Sequence, residues 1–355
     1  ELREGIRLGV NRGFTHQFDE FMEFNRTHAG LALSNHVLKN FEYFGVYWSE
    51  FFGDQDVQTI TTSDIESYKA WRHVYWTKGP GTQKTRRGNV ALTPSVNTMR
   101  QDRQRLKQFF RHLVNHNIIR TAPLFIIPNR ERNTRRKVGR RDHFTRAEWN
   151  RVSNRLNHYA FGAQSEVKGP AIAYQRRLLY YFAMVSANLG TRPGETRGIR
   201  WKDVDWIPVE GEDVSFRVEV RIPATRKTGK YTAVGQLNCT KYLRGLRTLF
   251  EGYHGREPNE DDYVFTGIQG EPYKYPAHTF RKLLREWGEY EDSDGRVRNL
   301  YSLRGLHITL MLEKGLPVHT VAKACGTSVK QIERHYDRSG VNIDQRFLRA
   351  GRNPD

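Results

Sequence analysis

Cysteine is scarce: Cys239 and Cys325 are the only two in 355 residues. They form no CxxC pair and no zinc-finger spacing. This excludes a disulfide framework and points to a reduced, intracellular compartment, with the cytoplasm expected. No apolar run is long enough to span a bilayer and no lipidation motif is present, so no membrane partner is expected. No secretory signal opens the chain. Glycine-rich loops that cradle phosphates and the clustered acids of a magnesium nuclease are missing too, so no cofactor and no metal is expected. There is no internal repeat and no low-complexity tract. Negative charge is short: 39 Asp and Glu face 58 Lys and Arg, a formal charge of +19. Such a surplus repels itself unless a polyanion neutralises it, and nucleic acid is the natural partner.

What is present suffices for two cores. Hydrophobic residues make up 37% and aromatics 12% of the chain, and 355 residues suit two domains better than one. The first half reads as helices. Ser34 is placed to cap a helix whose Val37, Phe41, Phe44, Trp48 and Phe51 recur at steps of three and four. Ser63 and Glu66 read as a capping box ahead of Ile65, Tyr68 and Trp71. Thr93 and Pro94 read as the N-cap and first residue of a further helix. Its apolar face holds Val96, Met99, Leu106, Phe110 and Leu113, with Arg100, Gln104, Lys107 and Arg111 beside it. Such a stripe is often only a solvated face. The net charge makes Arg100, Lys107 and Arg111 candidate DNA contacts. His112 and His116 have the spacing of a metal pair but no third ligand in view, and read as polar helix residues.

Residues 130–141 carry seven basic side chains against Glu131 alone, with no apolar period. The stretch reads as a basic linker, and Arg135, Arg136, Lys137, Arg140 and Arg141 as candidate phosphate contacts. Thr145 and Glu148 cap a new helix. A buried helix follows through Leu178, Leu179, Phe182 and Val185. Strict alternation at Val214, Phe216, Val218, Val220 and Ile222 argues a half-buried strand. The turn at Lys227-Thr228-Gly229-Lys230 returns it as a hairpin into 231–234. Helices dominate from about residue 239, and Ser328 with Gln331 caps the helix that carries Tyr336. The expected fold class is mainly α with a small β-hairpin or sheet (α+β).

Three stretches carry the chemistry. The first is Asn188-Leu189-Gly190-Thr191-Arg192-Pro193-Gly194-Glu195, followed by Ile199, Trp201, Asp203 and Asp205. The second is Thr225-Arg226-Lys227-Thr228-Gly229-Lys230. The third is Tyr301-Ser302-Leu303-Arg304, then Gly315, then Cys325-Gly326-Thr327-Ser328, then Tyr336. In content, order and spacing they resemble the tyrosine recombinase (phage integrase) family. Arg304 stands 32 residues and Thr327 nine residues before Tyr336, the family's usual intervals. The resemblance is strong over about 144–340 and looser over the helical first half, which is similar to the family's core-binding domain.

The resemblance implies a site-specific recombinase that cuts and rejoins duplex DNA through a 3′-phosphotyrosyl bond, without metal or ATP. Tyr336 is then the nucleophile, Arg192 and Arg304 the clamp on the phosphate, and Lys227 the general acid, with Lys230 its rival in the same turn. Elementary chemistry fits these roles. Charge builds on a pentacoordinate phosphorus, and guanidinium groups offer a planar, permanently charged fork for it. A phenol has a pKa near 10, so nearby positive charge must favour its phenolate. Glu195 is expected to hold Arg192, or else to serve as an acid at a helix N-terminus. Two positions depart from the family: Tyr301 stands where a His or Lys is usual, and Thr327 where a His or Trp is usual. Both can donate a hydrogen bond to a phosphate oxygen. His307 and His335 are candidates to replace part of the missing imidazole, His307 the stronger.

The expected organisation is an N-terminal segment 1–13, a remnant of a region upstream; a helical DNA-binding domain 14–129; the linker 130–143; a catalytic domain 144–340; and a tail 341–355. The tail either packs on its own core or docks on a neighbouring protomer. The resemblance also implies a C-shaped clamp on DNA and a homotetramer assembled there from free monomers, with accessory DNA-bending proteins as further partners. Two alternatives stand beside this reading: a type IB topoisomerase-like relaxing enzyme, and a catalytically degenerate DNA-binding protein of the same fold.

Overall fold

The computed structural model describes residues 2–3, 6–7, 11–27, 33–85, 90–126, 143–163, 169–209, 216–224, 229–274, 276–293 and 295–335. The chain divides into two compact units, 1–138 and 139–355. The linker stretch 130–142, the turn residues 225–228 with Lys227, and the stretch from Tyr336 onward lie outside the described residues.

The first unit opens with a two-residue pairing of β1 (Leu2–Arg3) and β2 (Ile6–Arg7). Among the described residues four helices follow: α1 (Phe14–Thr27), α2 (Asn35–Phe52), α3 (Thr62–Val74) and α4 (Val96–Asn115). Their shared core is rich in aromatic rings, among them Phe14, Phe18, Phe21, Phe41, Trp48, Phe109 and Phe110. Rings such as Phe14 and Phe109 meet edge-on at 5.2 Å, the geometry their quadrupoles favour. One buried carboxylate ties three helices. Asp102 accepts from Trp48 Nε1 at 2.7 Å and from the Tyr68 hydroxyl at 2.8 Å, with Arg72 at 3.8 Å. Burial pushes Asp102 up to about 6, against the pull of those two donors and of Arg72.

Helix starts in this unit differ from the sequence reading. Ser34 holds the N-cap position of α2, yet its side chain makes no capping bond. Helix α3 is capped by the reciprocal pair Thr61 and Asp64, not Ser63 and Glu66. Those two fall inside the first turns, where Glu66 pairs with Lys69 at 2.7 Å. Helix α4 is capped by Ser95, whose hydroxyl accepts from the Thr98 amide, so Thr93 and Pro94 precede the helix.

The second unit begins with α5 (Arg146–Phe161), capped reciprocally by Thr145 and Glu148. Next come α6 (Pro170–Leu189), the short α7 (Pro193–Gly198), strands β3 (Val204–Pro208), β4 (Phe216–Ile222) and β5 (Tyr231–Val234), and α8 (Asn238–His254). The chain continues through α9 (Pro276–Glu286), α10 (Leu300–Glu313), α11 (Val318–Ala324) and α12 (Val329–His335). Helix α6 is the axle of the core: α5, α8 and α10 pack around it. The sheet has order β3-β4-β5 and is antiparallel throughout. Val218, Val220 and Ile222 alternate inward as the period of two requires. Strand β3 was not anticipated; its Val204-Asp205-Trp206-Ile207-Pro208 is half-buried on most positions and shows little alternation. The architecture is mainly helical with one small three-stranded sheet. Among the described residues no helix is long and apolar enough to cross a membrane.

Candidate active site

The site starts where α6 ends. Gly190 closes that helix in the left-handed conformation, at φ 65° and ψ 15°. Glycine reaches it without strain. The chain reverses, and Arg192 becomes the extended residue that opens α7, with Pro193 next. Glu195 Oε2 accepts from the Arg192 backbone amide at 2.8 Å, and Oε1 accepts from Arg192 Nη1 at 2.7 Å. Arg192 Nη2 donates to the Gly326 carbonyl at 3.0 Å. Burial works to lower the Arg192 pKa, but the hydrogen bond and charge of Glu195 outweigh it and hold the guanidinium above its ordinary value.

Helix α10 supplies the second wall. Asn299 caps it and accepts from the Tyr301 amide at 2.8 Å. Tyr301, Arg304 and His307 follow at steps of three, which places them along one side of the helix. Tyr301 is half-buried, close enough for its phenol to act electrostatically on Arg192. Arg304 is 1% exposed. Its Nη1 donates to the Gly190 carbonyl at 2.8 Å, and its buried Nε has no hydrogen-bond partner. His307 is 3% exposed and lies behind the same turn, with Nδ1 3.1 Å from the Ala187 carbonyl. A carbonyl can only accept, so Nδ1 carries the proton. Burial lowers the His307 pKa to about 4, although the Ala187 carbonyl pulls it up; Arg304 and Lys314 add to the lowering. A Cβ at Gly190 would stand 2.5 Å from His307 Cδ2. His307 thus clips α10 to the end of α6, and nothing described aims it at a ligand.

The third wall is the end of α11. Gly326, at φ 57°, donates its amide to Lys323 O, and Thr327 N donates to Ala322 O at 2.9 Å. This pair of bonds is a Schellman stop, and it turns the chain into Thr327. Tyr231, the first residue of β5, packs its ring on Gly326: a Cβ there would lie 2.4 Å from Tyr231 Cε1. The Tyr231 hydroxyl donates to Glu195 Oε2 at 2.8 Å. Burial and the Glu195 carboxylate raise its pKa, while Arg304 and Arg192 oppose them. Cys325 is fully buried, and burial pushes its thiol up to about 11 against the pull of the same two arginines. Arg192 and Arg304 therefore act on one small volume.

Lys227, Tyr336 and the linker residues Arg135, Arg136, Lys137, Arg140 and Arg141 lie outside the described residues, as does the side chain of His335. Lys230 is exposed just before β5. In the first unit Lys107 and Arg111 are exposed, and Arg100 donates to Asn97. The His112 and His116 rings pack on each other at 4.0 Å and against Phe24. Among the described residues no group of three or more His, Cys, Asp or Glu is arranged to hold a metal.

No protein-family model and no curated protein matches the sequence. Solved structures do match the fold along nearly its whole length. The Tn1549 transposon integrase in complex with transposon right end DNA aligns with a TM-score of 0.60 at 12% identity, covering 96% of this chain and 99% of that one. A lambda integrase tetramer bound to a Holliday junction aligns at 0.54 and 16%, covering 99% and 82%. The XerH site-specific recombinase bound to a difH substrate aligns at 0.60 and 13%, covering 96% and 85%. The chain has the tyrosine-recombinase fold. At these identities the likeness speaks to fold alone, so what the site does must be argued from its own side chains. Within that fold, sequence reasoning gave no role to Tyr231, and it quoted Gly326 in the third stretch without assigning it one. Both act across long sequence separations, and only the hairpin reading placed Tyr231 near the turn lysines.

Proposed function

We propose that the chain is a site-specific DNA recombinase that cleaves and rejoins duplex DNA through Tyr336. The observation that carries the reading is Arg304. It is a fully buried guanidinium with an unpartnered Nε and no ion pair among the described residues. Arg192 lies beside it, held by Glu195. Burying an uncompensated cation costs several kcal/mol, and a phosphate bound between the two arginines would offset that cost. A basic, DNA-sized surplus of charge and the tyrosine-recombinase fold agree with this use.

In this mechanism the Tyr336 oxygen attacks phosphorus as its proton passes to water. The bond to the 5′-oxygen breaks, and Lys227 protonates that oxygen as it leaves. A 3′-phosphotyrosyl ester and a free 5′-hydroxyl result. The 5′-hydroxyl of a partner strand reverses the step, so no ATP is consumed. Arg192 and Arg304 neutralise the equatorial oxygens in both directions, while Tyr301 and Thr327 donate to them. The exchange uses a homotetramer on two DNA sites. The exposed Lys107 and Arg111, with Arg100 and the basic linker, contact phosphates.

A library of duplexes of randomised sequence, each nicked on one strand so that the cut fragment diffuses away, tests this. The parental chain should leave covalent adducts that survive denaturation, with or without EDTA. Tyr336→Phe should bind the same duplexes and leave none. DNA binding without adducts from the parental chain would sink the enzyme reading in favour of a degenerate DNA-binding protein. Adducts on every sequence, with relaxation of supercoiled plasmid, would move it to a type IB relaxing enzyme.

A further inference from the structure

We infer that Tyr231 is a positioning residue for the cleavage step, holding Glu195 and through it the Arg192 guanidinium, while its ring seats the Gly326 turn. The inference rests on the recombinase reading of the site.

Glu195 makes two bonds to Arg192, three residues away, and both lie inside one turn of chain. Such a pair fixes the arginine relative to its own backbone and to nothing else. The bond from Tyr231 is the one from outside that turn among the described residues, and it lands on the same Oε2 that holds the Arg192 amide. Tyr231 is itself well founded. It stands opposite Ile222 in the β4–β5 ladder, beside the fully buried pair Val220 and Ala233.

A second path closes the circuit. Arg192 Nη2 reaches the Gly326 carbonyl, and the Gly326 α-carbon rests on the Tyr231 ring. Helix α11 packs on β5 at this point. One tyrosine thus locates the arginine turn through its hydroxyl and the Thr327 turn through its ring. It also stands one residue after Lys230 and four after Lys227 in sequence. The strand that anchors the clamp is therefore the strand that continues from the lysine turn. A shift of the strand displaces the clamp, and a displacement of about 1 Å in such a constellation costs on the order of a hundredfold in rate.

Tyr231→Phe keeps the ring and removes only the hydroxyl. Adduct formation at saturating DNA should slow by about ten- to a hundredfold, with DNA affinity changed less than about twofold, since the hydroxyl is engaged with Glu195. Amide hydrogen exchange in the free protein reads the position without any cleavage. The Arg192 amide, bonded to Glu195, should exchange about tenfold faster in Tyr231→Phe, while Phe182 in the α6 core keeps its protection. Unchanged exchange at Arg192 overturns the inference, whatever the cleavage rate. Faster exchange with an unchanged cleavage rate overturns it as well. If the parental chain forms no adduct, the recombinase reading has failed, and the exchange result alone decides whether Tyr231 anchors Arg192. Gly326→Ala tests the ring separately: its Cβ must push Tyr231 aside, and it should slow cleavage with the hydroxyl still present.

Discussion

Arg304 and Arg192 show how differently two arginines can be held in one site. Arg192 is 28% exposed at its side chain and answered by Glu195, whereas Arg304 is sealed in with one carbonyl. Their neighbours Tyr301 and Thr327 carry hydroxyls, and the relevant question is which task each position performs. If it is donation to a phosphate oxygen, a hydroxyl suffices. Losing one donor that acts on the transition state costs about 2.7–4 kcal/mol. Tyr301→Phe and Thr327→Val should each slow cleavage by about a hundred- to a thousandfold with binding nearly unchanged; parental rates in both would make the two hydroxyls bystanders. For the leaving group, Lys227→Ala should cut ordinary DNA poorly and a 5′-bridging phosphorothiolate well, because a thiolate departs without a proton. Rescue in Lys230→Ala and not in Lys227→Ala would move the role within the turn. The pairing of Arg192 with Glu195 was legible in the sequence because it is local. The bond from Tyr231 to Glu195 spans 36 residues, and no local pattern announces it.

Among the elements, the junction of α6 and α10 is closely packed. His307 satisfies the Ala187 carbonyl, one of the last acceptors of α6 that the helix itself leaves open. Its ring fills the space where a side chain at 190 would stand. Gly190→Ala should therefore cost about 1–3 kcal/mol in urea unfolding, from overpacking and from the left-handed backbone. Gly252→Ala in α8, with open space at its Cβ, should be neutral or stabilising by up to about 1 kcal/mol. His307 also sets a pH window. Its folded pKa of about 4 lies below the unfolded 6.5. The unfolded chain therefore binds the proton first, and the stability is full above about 6.5 and lost as pH falls towards 4. His112 acts in the same direction, and Asp102 opposes both. His307→Gln should flatten the fall between those pH values, and an unaltered slope would mean the imidazole is charged in the folded state. Helices and strands were legible wherever a burial period existed, as in α6 and β4. Their starts were less so, because Ser63, Thr93 and Thr61 are all competent caps and only backbone geometry chooses among them. Strand β3 escaped because neither face is fully buried.

For the whole molecule the governing quantity is a charge of +19. A chain with that surplus binds any polyanion to some degree, so affinity alone says little about which groups meet DNA. The salt dependence says more. Each phosphate neutralised by a lysine or arginine releases condensed counterions, and the slope of log K against log salt changes by about 0.9 per contact on duplex DNA. The density of base in 130–141, seven side chains against one acid, makes that stretch the largest single contributor expected. Neutralising Arg135, Arg136 and Lys137 together should flatten the slope by up to about 2.7. It should weaken binding similarly on every sequence, because phosphates carry no base identity. The same triple change should leave the urea midpoint of the parental fold unaltered, which separates lost contacts from lost structure. An unchanged slope would assign the linker to solvent. The basic helix face of Lys107 and Arg111 would then be the next to neutralise by the same measurement.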